Sequence, residues 1–466
     1  MGDQGSIHFC GICGVAMSQV AAWLKSEGEQ VSGSDEGAYP PISDFLKAQG
    51  IEIRAPYRAD NLDGAGLAVI GNALSRGNPE VEAILERRLP FVSLPQLLHQ
   101  RILAWKNPIV VAGTHGKTTT TAALAQILQT AGLSPGYMIG GLPVGWKSGF
   151  AAGEGRWFAI EGDEYDTAFF DKRPKFLHYQ PRVVLLNNIE FDHADIYSGL
   201  EEIYTQFARL IQLLPRHGCL MVNGDESNLD FLIQKAPCRV VRFGLQPTAD
   251  VRAENVELTP EGIRFKLHLS SGQEIQCATA LWGDHQLRNL VGAAAASEFA
   301  GVSADQIVKG IAAFRGVQRR LELKYHRRGL WVYDDFAHHP TAVKATLASL
   351  RARHPQAYLA AAFEPRSNTM VRHYFQGEIG EALSLADRIV IGGVHRADKI
   401  APEQRLDVEQ IVQELRGRGR EADSNTDADH LAEVLTKDLP EEAVIVLMSN
   451  GAFSGLCGKL LERLKE

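Results

Sequence analysis

Ala112-Gly113-Thr114-His115-Gly116-Lys117-Thr118-Thr119-Thr120-Thr121 follows the apolar run Ile109-Val110-Val111 and opens into Ala122–Leu128. A short β-branched run that ends in Gly-x-x-Gly-Lys-Thr and passes into an apolar segment reads as strand, phosphate loop and helix. Gly113 and Gly116 let backbone N–H groups turn onto phosphate oxygens, and the helix start adds partial positive charge there. Thr114 and His115 complete the loop. Lys117 is expected to reach the β/γ-phosphates of ATP and Thr118 to hold Mg²⁺. The loop is short, because Val111 stands where such loops usually have a glycine. An ordinary Gly-rich turn is the alternative, yet Lys-Thr at a helix start adds little to folding.

Two further strands end in acidic loops. Trp157–Ile160 runs into Glu161-Gly162-Asp163-Glu164-Tyr165-Asp166, and Val183–Leu186 runs into Asn187-Asn188-Ile189-Glu190-Phe191-Asp192-His193-Ala194-Asp195. Carboxylates gather this densely at strand ends when a divalent cation offsets their repulsion. A neutral His can add a nitrogen ligand, which widens the metal choice to Mg²⁺ or Mn²⁺. Acids capping helix starts explain one such cluster. Two clusters beside a phosphate loop point instead to a metal–nucleotide site. Gly283-Asp284-His285-Gln286-Leu287-Arg288-Asn289 then opens the Ala-rich helix Leu290–Phe299.

The chain starts with a related unit. Ile7–Gly11 reads as a strand, Gly11-Ile12-Cys13-Gly14 as a tight turn, Ala16–Ser26 as a helix and Val31–Asp35 as a second strand. This is a mononucleotide-binding βαβ half, with Asp35 placed to bond a ribose or base edge. Strand Leu67–Gly71 leads into a polar loop, Asn72 to Pro79, of the kind that binds ligands in doubly wound sheets; Asn72 and Asn78 are its candidate contacts. Gly-x-x-Gly is not the dinucleotide fingerprint. An NAD-dependent oxidoreductase built on this unit would leave the Lys-Thr loop and both acidic clusters without a role. A non-catalytic nucleotide switch would not need so many ligand-facing loops.

At 466 residues the chain suggests roughly three domains. Breaks near Trp105–Pro108 and at Gly316-Val317-Gln318-Arg319-Arg320 divide it into 1–106, 107–315 and 316–466. Arg320 is a candidate phosphate contact. The last part repeats the theme of strand then polar loop. Leu330–Tyr333 leads to Asp334-Asp335-Phe336-Ala337-His338-His339-Pro340, and Tyr358–Phe363 to Glu364-Pro365-Arg366-Ser367-Asn368-Thr369. Ile389–Ile391 and Val444–Met448 precede similar loops. Asp-Asp beside His-His suits either a metal or a substrate-facing turn.

Hydrophobic content of 45% and charged content of 22% describe an ordinary soluble globular protein. A net charge of −8 argues against a general nucleic-acid surface. No apolar run approaches the roughly 18 residues of a membrane span. Six scattered cysteines suit a reducing cytoplasm. Cys10 and Cys13 form a Cys-x-x-Cys without a second ligand pair, so small packed residues are expected there, with a redox pair as the alternative. Met1-Gly2 to Ser6 formally fits a myristoylation pattern, which the immediate start of the first strand argues against.

The succession Gly113-Thr-His-Gly-Lys-Thr118, Glu161-Gly-Asp-Glu164, Asn188-Ile-Glu-Phe-Asp-His193, Gly283-x-His-x-x-x-Asn289 and Asp335-Phe-Ala-His-His-Pro340 resembles the Mur ligase family along essentially the whole chain. The resemblance implies an α/β fold of three domains: a Rossmann-like N-terminal domain for a UDP-sugar, a central P-loop ATPase-like domain, and a C-terminal Rossmann-like domain for the acceptor. It implies an ATP-dependent, ADP-forming, C–N bond-making enzyme of cell-wall precursor synthesis. Asp335–Pro340 resembles the branch that acts on UDP-N-acetylmuramate. One member of that branch attaches L-alanine. Another attaches the recycled tripeptide L-alanyl-γ-D-glutamyl-meso-diaminopimelate, and Gly11-Ile-Cys-Gly14, Gly71-Asn-Ala73, Arg76-Gly-Asn-Pro79 and Glu161–Arg173 resemble the latter more. Branches with a carbamylated lysine are disfavoured, since no lysine lies between Asn187 and Pro215.

By the same resemblance Lys117 neutralises phosphate oxygens, Thr118 and Glu164 hold one Mg²⁺, and His193 a second. Asn289 contacts adenine; Gln286 departs from the family's usual Asn. Asp192, His338 and Asp335 are candidate general bases. Gly11, Gly14, Asp35, Asn72 and Asn78 face the UDP-sugar, and Arg366 is the expected grip on a peptide carboxylate.

Overall fold

A computed structural model describes residues 5–465. The myristoylation pattern lies largely outside the described residues. Asn107–Ala112 is a strand and Lys117–Thr130 the helix after it, so the helix begins at the lysine, earlier than apolar periodicity alone indicates. Thr118 to Thr121 are all buried in its first turns. Thr121 Oγ1 donates back to the Lys117 carbonyl at 2.8 Å, which satisfies a polar β-branched side chain inside the helix.

The central sheet has ten strands, and its order positions the site. Asn107–Ala112 lies between Trp157–Gly162 and Val183–Leu186 and runs parallel to both. All three carboxyl ends therefore emerge on one edge, with the phosphate loop flanked by the two acidic loops. Strand alternation sends Ile109 and Val111 into a core with helices Lys117–Thr130 and Asp284–Phe299. Val110 and Ala112 point the other way, toward helix Leu200–Gln212 and the N-terminal unit. Three antiparallel strands, Val251–Thr259, Gly262–His268 and Glu274–Thr279, extend one edge of the sheet.

The N-terminal sheet is five-stranded and wholly parallel, with Ser6–Cys10 between Val31–Ser34 and Ala65–Ile70. The C-terminal sheet has six strands. Glu322–Arg327 is antiparallel at its edge, and the others, including Leu330–Asp335, Tyr358–Phe363 and Ala443–Met448, run parallel. The architecture is thus three α/β units around three parallel-stranded cores, as the sequence predicts. No helix among the described residues is long and apolar enough to cross a membrane.

Candidate active site

The phosphate loop is pinned from the side by the second acidic loop. Thr114 N donates to the Asn188 carbonyl at 3.1 Å, His115 N to Asn188 Oδ1 at 2.8 Å, and Glu190 N to Thr114 Oγ1 at 2.8 Å. Gly113 approaches so closely that a Cβ there would sit 2.7 Å from the Asn188 carbonyl oxygen. Gly116 has φ +82° and faces Asn289 Oδ1 and Asn187 Nδ2. Asn289 thereby touches the loop from helix Asp284–Phe299.

Lys117 Nζ curls over the loop. It donates to the Gly113 carbonyl at 2.6 Å and to Glu164 Oε2 at 2.9 Å. His193 Nε2 lies 3.0 Å from Glu164 Oε1. Glu164 is therefore shared by residues from both neighbouring strand ends. Burial opposes its charge, but the Lys117 ammonium and the His193 hydrogen bond outweigh this and hold its carboxyl below the usual value. Burial raises the Glu161 carboxyl instead, against hydrogen bonds from Gly140 N and Thr118 Oγ1. The expected metal set is thus met in part. Glu164 and His193 come together, whereas the carboxylate in contact with the Thr118 hydroxyl is Glu161, at 3.2 Å. Carboxylate and hydroxyl oxygens with one imidazole fit Mg²⁺ or Mn²⁺.

The C-terminal unit closes the site. Arg320 lies under Phe336 at 4.5 Å and points Nη2 at Thr118 Oγ1, 3.4 Å away. Asp192 Oδ1 accepts from Thr369 Oγ1 at 2.6 Å, and Asp192 Oδ2 lies 3.8 Å from His338 Nε2. Burial works against the Asp192 charge. The His338 hydrogen bond, the His193 and His338 charges and the Thr369 hydroxyl more than offset it and hold this carboxyl well below its ordinary value. A cavity of about 730 Å³ runs between the units. Gly14 and Asn72 line it from the N-terminal sheet, His115 to Thr119 with Glu164's neighbours from the central one, and Asp335 to His338 from the C-terminal one.

Several expected contacts are corrected. Asp335 accepts from Leu321 N at 2.6 Å, Ala337 N at 2.7 Å and Thr346 Oγ1 at 3.2 Å, so it shapes the turn, while burial raises its carboxyl. Asn78 caps helix Pro79–Arg87 by accepting from Glu80 N at 2.9 Å. Asp35 accepts from Cys13 N at 2.9 Å and so holds its own turn; neither it, Asn78 nor Gly11 lines the cavity. Arg366 pairs with Glu364 at 3.3 Å and also stays off the cavity wall. Cys10 and Cys13 are free thiols that burial pushes upward, Cys13 to about 11, which is the reverse of a reactive pair.

Glu190 and His339 escape the sequence reading as site residues. Glu190 Oε2 accepts from Thr341 Oγ1 at 2.7 Å and lies 3.2 Å from His339 Nδ1 and 3.4 Å from His115 Nε2. The signals were Glu190's place inside the Asn188–His193 motif and His339's place in the Asp-Asp…His-His turn, and neither indicated the other as its partner.

Residues 6–106 match the catalytic domain of the Mur ligase family, residues 111–297 the Mur ligase middle domain, and residues 319–451 the Mur ligase glutamate ligase domain. The chain is 38% identical to the UDP-N-acetylmuramate–L-alanyl-gamma-D-glutamyl-meso-2,6-diaminoheptandioate ligase of Escherichia coli (strain K12), over 98% of each chain. It is 32% identical to the UDP-N-acetylmuramate–L-alanine ligase of Geobacter sp. (strain M21), over 98% of this chain and 97% of that one. A solved murein peptide ligase from Psychrobacter arcticus 273-4 superposes with a TM-score of 0.73 at 32% identity, covering 99% of this chain and 98% of the other.

Proposed function

We propose, from the premise that this chain belongs to the Mur ligase family, that it joins UDP-N-acetylmuramate to the tripeptide L-alanyl-γ-D-glutamyl-meso-diaminopimelate at the expense of ATP. The observation that carries this reading is the shared Glu164, in contact with Lys117 and His193 beside a cavity to which all three sheets contribute. The higher identity to the tripeptide-adding relative, 38% against 32%, favours the tripeptide over free L-alanine. Cytoplasmic action follows from the substrates.

The reaction needs an activated carboxylate. A lactyl carboxylate oxygen attacks the γ-phosphorus and ADP leaves, giving an acyl phosphate. The amine nitrogen then attacks the acyl carbon, the C–O bond to phosphate breaks with its electrons, and one amine proton must be removed. Bringing two anions together is the hard part, so positive charge dominates the barrier. Lys117 and Arg320 are suited to neutralise phosphate oxygens, and Asn289 to meet the adenine. Thr118, Glu164 and His193 would hold Mg²⁺, which when bound supplies further positive charge to the phosphates.

His338 is our candidate base. Its Nδ1 donates to the Phe336 carbonyl at 3.1 Å, which leaves Nε2, 3.8 Å from Asp192 Oδ2, as the nitrogen that exchanges a proton. The ionised Asp192 carboxylate beside Nε2 stabilises the imidazolium that forms. Gly14 and Asn72 are the UDP-sugar contacts best supported by the cavity lining. ATP-dependent phosphate release with UDP-N-acetylmuramate and each amine tests the reading. Release with the tripeptide and not with L-alanine is expected; the reverse moves the enzyme to the alanine-adding branch, and release with neither overturns a ligase on this donor.

A further inference from the structure

We propose that His115, Glu190 and His339 form a second metal site, selective for a borderline cation such as Zn²⁺, that fastens the C-terminal unit to the phosphate loop. The three residues come from three separate segments and offer ligand atoms that all lie within 4.8 Å of one another. Glu190 Oε2 is 3.4 Å from His115 Nε2 and 3.2 Å from His339 Nδ1. A tetrahedral ion with bonds of about 2.1 Å spaces its ligands about 3.4 Å apart, so only a small closing of the imidazoles is needed. Two imidazoles and one carboxylate, with the fourth position left to water, form a donor set suited to zinc and poorly suited to Mg²⁺.

The ring atom of His339 turned to Glu190 is Nδ1, which also takes a long contact of 3.4 Å from Thr341 N that a bound ion would displace. With Nδ1 an acceptor, the ring proton sits on Nε2, which is buried without a partner. His115 and Glu190 also line the main cavity, which gives an ion a way in. None of these three residues belongs to the set assigned to Mg²⁺.

The test uses the full chain without nucleotide, dialysed against Zn²⁺ in Mg²⁺-containing buffer, with retained zinc counted by elemental analysis. Co²⁺ in place of zinc reports geometry through its tetrahedral visible absorption. The wild type is expected to keep one equivalent and to gain thermal stability with added zinc. H339Q and E190Q should each weaken retention by more than about tenfold, and H193Q should leave it unchanged. Circular dichroism in chelator checks that the variants fold; should H339Q not fold, E190Q carries the test. Equal zinc in wild type, H339Q and E190Q overturns the proposal, as does loss of the bound equivalent in H193Q or failure of the wild type to retain any.

Discussion

The molecule contains two Gly-x-x-Gly turns between a parallel strand and a helix, and they do different things. Gly11–Gly14 follows strand Ser6–Cys10 and is capped by its own neighbour, Asp35, through Cys13 N. Gly113–Gly116 follows strand Asn107–Ala112 and is held by Asn187, Asn188, Glu190 and Asn289, from distant segments. Backbone geometry already differs, since the last glycine has φ −63° in the first turn, at Gly14, and φ +82° in the second, at Gly116. The larger difference is the convergence of charge. At the second turn Lys117, Glu164 and His193 meet; at the first the Asp35 carboxylate accepts from Cys13 N, and burial raises the Cys13 thiol. A glycine turn provides room for an anion, and the chemistry comes from neighbouring strand ends.

The largest expected effect is on Lys117. Lys117→Ala should lower turnover by about 10²- to 10³-fold, the range for losing one preorganised charge donor, while the chain stays folded by circular dichroism. Near-normal turnover would make the two turns equivalent. Next are the glycines. Gly116→Ala would place its Cβ 2.5 Å from Asn289 Oδ1 as well as straining the backbone, and should cost about 2–4 kcal/mol in urea unfolding. Gly11→Ala meets nothing nearer than 3.9 Å and should cost about 1–2 kcal/mol. Equal costs would contradict the difference in surroundings.

Smaller effects belong to the first turn. Asp35→Ala removes the acceptor for Cys13 N and should destabilise by about 1 kcal/mol, read from the same unfolding curves. The Cys13 thiol, pushed up to about 11 by burial and then by the Asp35 carboxylate, should alkylate slowly at pH 8. Asp35→Asn removes the charge while keeping an oxygen, so alkylation should quicken severalfold. An unchanged rate would show that the carboxylate does not govern this thiol.

The sequence made the strands and loops around the phosphate site legible because each is a short apolar run ended by a Gly-rich or acidic stretch. Val183–Leu186 and Tyr358–Phe363 coincide with observed strands to the residue. The edge strands Val251–Thr259, Gly262–His268 and Glu274–Thr279 were not legible, because half-exposed alternation such as Glu274-Ile-Gln-Cys-Ala-Thr279 carries little apolar signal. Within the site, Lys117, Glu164 and His193 were readable as types but not as a contact. Which acid pairs with Thr118, and that Asn78, Asp35 and Asp335 serve backbone N–H groups, depend on distances that no local pattern encodes. Glu190 meeting His339 and Thr341 is a tertiary fact of the same kind.

The central claim is that the phosphate loop and Glu164 serve to activate a carboxylate. The most direct measurement places a heavy-oxygen label in both lactyl carboxylate oxygens of UDP-N-acetylmuramate and follows it by mass spectrometry during turnover with ATP and the tripeptide. Passage through an acyl phosphate predicts that the phosphate released carries one labelled oxygen, with the other kept in the new amide. Amide formation accompanied by unlabelled phosphate would contradict it.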